Sequence, residues 1–344
     1  MSRKDDEGFD DRMARERVGQ TIGGSWVVDR LLGIGGMAAV YAATHTSGRR
    51  AALKVLHRSL VDDPEMRARL LQEHEISQRI AHPARVQIWG VGATDDGAPM
   101  LMMDLLEGAT LEQATQRSGR APVSLVLAIA DLLLDFLSAA HAADVLHRDL
   151  KPANVFITLD GDVRVLDFGV ARTSTSRSTG RRLAIGTPSY MAPEQARASE
   201  SDLDGRADLF SIGAMMYSML SGCPLRSAQN DGELLRMAAR DPARPAALAA
   251  PDLPPDVAQI IDRALAWSPR DRWADAAQMQ AAVRRARLRT QELSPSRALL
   301  AALAFSATEE PEEEVERPTY THAPPSVRTV AATTRPEPWS RVIV

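Results

Sequence analysis

The sequence predicts an α+β protein in two lobes, a small sheet-rich lobe over 25–105 and a larger, mostly helical lobe over 106–290. Two observations carry this. From Trp26 to Asp104 short strand-like segments are punctuated by glycine and interrupted by one helical stretch, near Pro64 to Ile80. After Gly108 the pattern changes to long helical runs at 124–142, 206–221, 255–266 and 275–289, with Pro193, Pro224, Pro254 and Pro269 between them or at their starts, where proline is tolerated. Residues 1–24 read as a flexible leader, since MSRKDDEGFDDRMARER is charged throughout and lacks the apolar core of a secretion signal. Residues 291–344 read as a disordered tail rich in Glu, Pro, Thr and Arg.

Bulk properties exclude several classes. With 44% hydrophobic and 25% charged residues, the chain has the balance of a globular protein with a sizeable core. A formal charge of -4 supplies no cationic field for nonspecific nucleic-acid binding. The one cysteine, Cys223, rules out an internal disulfide and any multi-cysteine metal site, and a reducing cytoplasm is the expected compartment. The apolar stretch Leu125 to Ala143 is interrupted by Asp131 and Asp135, which an amphipathic helix would turn to water, so it reads as a buried helix. Ala298 to Phe305 falls short of the roughly 20 residues a span needs, and no membrane segment is expected.

Taken along the chain, the first chemical signal is Gly33, Ile34, Gly35 and Gly36 in LLGIGGMAAVY. Glycines between two strands let backbone N–H groups approach a polyphosphate, although a ligand-free hairpin turn gives the same pattern. No GxxxxGK[ST] follows, so this is not a Walker-type loop. Next, Lys54 lies within the apolar strand Ala51 to Leu56, where an unpaired ammonium would be costly. On the following helix Glu73 shares a face with Leu70 and Ile80 and can neutralise it, the alternative being two separately solvated charges.

The segment VLHRDLKPANVFITLDGDVRVLDFG, Val145 to Gly169, carries the most information. Asp160-Gly161 between apolar runs is a two-residue hairpin signal, which makes Leu159 face Asp162. Carried outward, that register sets Asn154 opposite Asp167, with Cβ atoms about 5 Å apart. An amide oxygen and a carboxylate so placed can share a hard divalent cation, which predicts a Mg²⁺ site. Asp149 and Lys151 enter the same end of the hairpin, one able to accept a proton and the other to neutralise developing charge. Singly, Asp167 reads as a turn carboxylate and His147 as a packed core histidine; as a spaced set they read as a reaction centre.

With these residues in order, joined by GTPSYMAPE at 186–194, the chain resembles the protein-kinase superfamily, most closely the bacterial serine/threonine protein kinases of eukaryotic type. The resemblance covers about three quarters of the chain and implies the bilobal protein-kinase fold. It implies a non-specific serine/threonine protein kinase using ATP and Mg²⁺, with Lys54 on the α- and β-phosphates and Glu73 orienting it. Asp149 would accept the substrate hydroxyl proton, Lys151 would neutralise the transferred group, and Asn154 and Asp167 would bind Mg²⁺. By family position Val40, Ala52, Met103 and Phe156 would enclose adenine, with Asp104 to Leu106 as the hinge. Met103 is equally a core residue. DLFSIGAMMYSMLSG at 208–222 resembles the family's buried central helix, and SPRDRW supplies Arg272 as partner for Glu194. LKPAN and Gly186-Thr187 point to serine and threonine acceptors in protein substrates. Ala38 replaces the third glycine of the family's loop, which bears on how tightly that loop closes.

Autophosphorylation is expected among Thr173, Ser174, Thr175, Ser176, Ser178 and Thr179, with Arg148 as the phosphate's partner. Thr319, Thr321 and Thr329 are candidate docking sites for a phosphothreonine-binding partner. Two rivals are weighed against the kinase. A pseudokinase would have lost Lys54, Asp149 or Asp167, and a small-molecule phosphotransferase would lack the GTPSYMAPE platform.

Overall fold

The computed structural model describes residues 3–116, 119–167, 188–197, 203–290 and 297–308. Helix α1 (Arg3–Glu16) precedes a sheet of β1 (Thr21–Ile22), β2 (Trp26–Ile34), β3 (Ala38–His45), β4 (Arg50–Leu56), β5 (Ile88–Ala93) and β6 (Pro99–Met103). Helix α2 (Pro64–Arg79) lies between β4 and β5. The strand order is β1-β2-β3-β4-β6-β5, with every neighbouring pair antiparallel. Alternation then divides the side chains. Tyr41, Ala43, Ala51, Leu53 and Val55 fill one face, while Leu56, Ile88 and Leu101 pack against Met66 and Leu70 of α2 on the other. Leu56, Leu70 and Leu101 are wholly buried, each worth about 1.5–3 kcal/mol. Asp63 starts α2 by accepting from the N–H groups of Glu65 and Met66, and Pro64 sits at the first helical position.

The large lobe contains β7 (Gly108–Thr110), α3 (Leu111–Gln116), α4 (Val123–Ala142), β8 (Val155–Thr158) and β9 (Val163–Val165). It continues with α5 (Pro193–Ala196), α6 (Arg206–Ser221), α7 (Asp231–Arg240), α8 (Ala246–Ala249), α9 (Pro255–Ala264) and α10 (Ala276–Arg289). Leu127, Phe136, Leu137, Phe210, Ile261 and Val283 belong to one core cluster of α4, α6, α9 and α10. Gly213 permits the α6–α9 crossing, since a Cβ there would stand 2.7 Å from Cβ of Ala264. Among the described residues α4 alone is long and apolar enough to span a membrane, yet it is mostly buried within the protein. Asp131 does not face water as the sequence suggested. It is 9% exposed and accepts from Gln280 on α10, whose Arg284 and Arg287 neutralise it.

Both ends of the chain correct the sequence reading. The expected flexible leader is folded: Asp10, Ala14 and Arg17 form a buried stripe that covers the outer face of the small sheet. Their spacing is helical, but two of the three carry charge, so a search for apolar periodicity passes over them. Within the expected disordered tail lies helix α11 (Arg297–Thr308), whose Leu300, Leu303 and Ala304 are buried in the large lobe's core cluster. Gly161, at φ 80, faces it so closely that a Cβ would sit 1.9 Å from the Arg297 carbonyl oxygen, and Arg297 pairs with Asp162 at 2.5 Å. Gly161→Ala is therefore expected to cost about 1–3 kcal/mol. It should also open 297–308 to limited proteolysis; a variant as resistant and stable as wild type would contradict the docking.

Candidate active site

The glycine turn joins β2 to β3, with Gly35 donating to the Ala38 carbonyl at 2.9 Å. None of Gly33, Gly35 or Gly36 has a left-handed φ. A Cβ would meet nothing at Gly33 or Gly36, and only the Ala38 carbonyl, at 3.4 Å, at Gly35. The fold itself thus does not demand glycine here, and the backbone of the turn stays open to approach from outside the chain. His57, at the end of β4, holds the turn: its Nε2 lies 2.6 Å from the Gly35 carbonyl oxygen and its backbone N–H donates to the Met37 carbonyl. Sequence reasoning missed His57, and no motif marked it.

Beneath the turn, Val40 on β3 faces Lys54 on β4, and Ala52 faces Met103 on β6. Cross-strand partners share a face, so Val40, Ala52, Lys54 and Met103 line the same side of the sheet. Met103 also packs against the α2 cluster, so its core role and its expected cleft role coexist. Phe156 lies on β8, half-buried, and Asp104 and Leu106 follow β6 in the segment that joins the lobes.

Lys54 is the centre of the cluster. Its Nζ donates to both carboxylate oxygens of Glu73 at 2.9 Å and to Oδ1 of Asp167 at 2.7 Å. Burial alone would push the Lys54 ammonium down, but the charges of Asp167 and Glu73 outweigh it and hold the pKa above its ordinary value. Burial is also the largest influence on Glu73; with the Asp167 charge added and Lys54 opposing, its carboxyl is pushed up to about 7. Burial opposes the ionisation of Asp167 as well, but the charge and hydrogen bond of Lys54, with help from Glu73 and His147, lower its carboxyl. The Asp167 side chain keeps 47% of its surface open.

The reaction loop hangs on a residue that the sequence reading did not single out. Asp208, on α6 and 1% exposed, accepts from the N–H of His147 at 2.9 Å and of Arg148 at 2.8 Å, and its Oδ2 meets His141 Nε2 at 2.9 Å. Burial opposes its ionisation, but bonds and charge from His141 and His147 hold its carboxyl below the usual range. The legible signal was a lone acid in an apolar helix, DLFSIGAMMYSML. His147 is fully buried, with Nε2 3.0 Å from the Leu166 carbonyl oxygen, so it is structural. Arg148 adopts φ 63 and Asp167 φ 44, left-handed conformations that non-glycine residues keep only where the surroundings impose them.

The hairpin register is shifted by one residue from the expected one, and its loop is one residue longer. Val155 pairs with Val165 and Ile157 with Val163, and Thr158 N–H bonds the Asp162 carbonyl, so the loop holds three residues and Asn154 stands beside Leu166. The Leu166 N–H donates to the Asn154 carbonyl at 2.8 Å, and the left-handed Asp167 follows directly. Asn154 therefore pairs with the residue before Asp167 rather than with Asp167 itself, which is a correction to the expected register. Asn154 is 6% exposed and donates through Nδ2 to the Asp149 carbonyl at 2.8 Å and to Asp149 Oδ2 at 3.2 Å. Its amide oxygen is thereby the atom left for a cation. Lys151 Nζ lies 3.2 Å from Asp149 Oδ2. Among the described residues no group of three His, Cys, Asp or Glu could hold a metal. One amide oxygen and one carboxylate fit Mg²⁺ that takes its other ligands from phosphates and water.

Arg272 and Glu194 meet as expected, at 2.7 and 2.8 Å in a two-pronged pair. Gln195, beside Glu194, donates to the Arg148 carbonyl at 2.9 Å, which ties α5 to the 147–151 loop. Thr173, Ser174, Thr175, Ser176, Ser178 and Thr179 lie outside the described residues, as do Gly186, Thr187, Thr319, Thr321 and Thr329.

A model of the protein kinase domain matches residues 26–283. The probable serine/threonine-protein kinase PknB of Corynebacterium glutamicum is 35% identical over 310 residues, covering 86% of this chain and 46% of that protein. Serine/threonine-protein kinase pkn3 of Myxococcus xanthus is 34% identical over 321 residues, covering 87% of this chain and 58% of that protein. The chain spans about half the length of the curated relatives it matches. In the crystal structure of the Mycobacterium tuberculosis PknI kinase domain, 28% identical, the TM-score is 0.60 with 78% of this chain and 97% of that chain covered.

Proposed function

Because this chain belongs to the protein kinase domain family, we propose that it transfers the γ-phosphoryl group of ATP to serine and threonine hydroxyls of proteins. The observation that carries the reading is Lys54 gripped by Glu73 and Asp167 in one cluster, with Asn154 and Lys151 both on Asp149. The roles follow from charge and reach. The acceptor hydroxyl attacks the γ-phosphorus, its proton passes to the Asp149 carboxylate, and the bond to the β–γ bridging oxygen breaks to leave ADP. Lys151 balances negative charge on the transferred group, and Lys54, oriented by Glu73, balances it on the α- and β-phosphates. Asp167 and the Asn154 amide oxygen would hold Mg²⁺, which when bound supplies neutralisation of the β- and γ-phosphate oxygens. The turn of Gly33, Ile34, Gly35 and Gly36 leaves backbone open to the phosphates.

Autophosphorylation at 173–179 with Arg148 as phosphate partner, and a phosphothreonine-reading partner of the tail, belong to the same proposal. Their support is the density of acceptors and a guanidinium beside the proton acceptor. Transfer from γ-labelled ATP tests the reading. Label should enter serine or threonine of an acceptor protein with Mg²⁺ present, and chelation by EDTA should abolish it. Absence of Mg²⁺-dependent transfer, or label confined to tyrosine, would overturn it.

A further inference from the structure

A second polar network of the small lobe runs from α1 to the helix that carries Glu73. Asp10, 9% exposed on α1, accepts from the Ser59 N–H at 3.3 Å and from the Ser59 hydroxyl at 2.5 Å. Ser59 is the middle of the turn Arg58–Leu60, which joins β4, the strand of Lys54, to α2, the helix of Glu73. Leu60 packs into the cluster of Leu56, Met66 and Leu70 beneath α2, and Asp63 then caps the helix. A second grip lies beside the first. Arg17, 8% exposed, donates to Asp96 at 3.0 Å in the turn between β5 and β6. To the same turn Arg58 donates at the Asp96 carbonyl, 2.9 Å, and Arg67 of α2 at the Gly97 carbonyl, 3.3 Å. The N-terminal segment thus holds the entrance of α2 directly through Asp10 and, through Arg17, the β5–β6 turn that Arg58 and Arg67 also reach, and none of these residues belongs to the catalytic cluster.

We propose that Asp10 is a positioning residue for phosphoryl transfer: by fixing the Arg58–Leu60 turn it keeps α2 where Glu73 reaches Lys54. The catalytic consequence rests on the kinase reading, while the structural one does not. Glu73 is 5% exposed and Lys54 7% exposed. A shift of α2 that separates them leaves Lys54 paired with Asp167 but strips the buried Glu73 carboxylate of its ammonium, so the helix has a seated arrangement and an unseated one rather than a continuum. A carboxylate accepting from a backbone N–H and a hydroxyl makes charge-assisted bonds. Bonds of that strength at the helix entrance bias which arrangement is populated. The charged opening of the chain, inconspicuous as sequence, thereby becomes part of the apparatus that sets Lys54.

The test uses the full chain with Asp10→Ala and Asp10→Asn, each also combined with Glu73→Gln. Amide hydrogen exchange of 64–79, read without nucleotide, needs no catalysis. Asp10→Ala should speed it about tenfold, the scale of a lost hydrogen bond to a charged group, with 123–142 in the large lobe unchanged. kcat/KM for ATP should fall by a similar factor, mainly through KM. Asp10→Asn, which keeps an acceptor oxygen, should recover most of both. In the Glu73→Gln background Asp10→Ala should cost less than about twofold, because the contact it protects is already gone. Ser59→Ala, deleting one of the two bonds, gives a milder variant with the same direction should Asp10→Ala fold poorly. Unchanged exchange over 64–79 in Asp10→Ala overturns the proposal, and so does an equal loss of kcat/KM in both backgrounds. A wild type without transfer activity would sink the kinase reading, and exchange would still decide whether Asp10 holds α2.

Discussion

Asp149→Asn is expected to lower kcat by about 10²–10⁴-fold, the usual weight of a positioned general base, with KM for ATP and Tm close to wild type. The substitution is nearly isosteric. The amide oxygen it introduces could still accept from Asn154 Nδ2, which lies 3.2 Å from Asp149 Oδ2, and the backbone carbonyl at 149 would keep its own 2.8 Å bond from that donor. The loop's conformation is fixed from outside the side chain, by the two N–H bonds from His147 and Arg148 to Asp208 and by Gln195 on the Arg148 carbonyl. What disappears is the capacity to take up a proton, together with the charge that Lys151 faces at 3.2 Å. Steady-state kinetics with an acceptor protein and a thermal melt of the same samples check this. Equal turnover by the two proteins would remove Asp149 as the base. A large fall in Tm would mean that its role is structural.

Much of this site was legible in the sequence because residues suited to phosphate, metal and proton are confined by chemistry to few types and by the chain to short segments. Lys54 announced itself as a charge in an apolar strand, and Glu73 as an acid on the buried face of a helix; the structure joins them at 2.9 Å. The hairpin was legible as a hairpin but not in its register. Asp160-Gly161 signals a turn, whereas the loop length depends on Thr158 reaching the Asp162 carbonyl and on Gly161 making room for the Arg297 carbonyl, both tertiary facts. Asp208 went unassigned for a related reason. Its partners His141, His147 and Arg148 lie some 60 residues earlier, and only the packing of α6 against the reaction loop brings them within bonding distance. The two ends were misread because their buried stripes are short or partly charged, which defeats a test based on apolar periodicity.

Arg272→Leu is expected to destabilise the protein by about 3–5 kcal/mol, the cost of orphaning one member of a buried ion pair, or a fall in Tm on the order of 10 °C. Arg272 is fully enclosed at its side chain, and that of Glu194 is 2% exposed. The guanidinium serves more than its carboxylate partner, for it also donates to the carbonyls of Ala266 at 2.8 Å, Arg206 at 3.1 Å and Trp267 at 3.2 Å. Leucine would leave an ionised carboxylate and three carbonyls without that donor in a region closed to water. One neighbour sets the lower bound of the loss. Arg226 is 5% exposed, shares the Phe210 ring with Arg272 at 5.4 and 5.0 Å, and has its Nη2 without a hydrogen-bond partner among the described residues. Burial and the nearby Arg272 charge depress the Arg226 guanidinium to about 10 despite Asp241. Losing Arg272 would therefore relieve Arg226 and let it turn toward Glu194. Chemical denaturation of Arg272→Leu, Arg226→Met and the double variant resolves the two contributions. If Arg226 compensates, the double variant loses more than the sum of the singles. If Arg272→Leu melts like wild type, the pair has no structural weight and the coupling of α5 to the 147–151 loop must run through Gln195 alone.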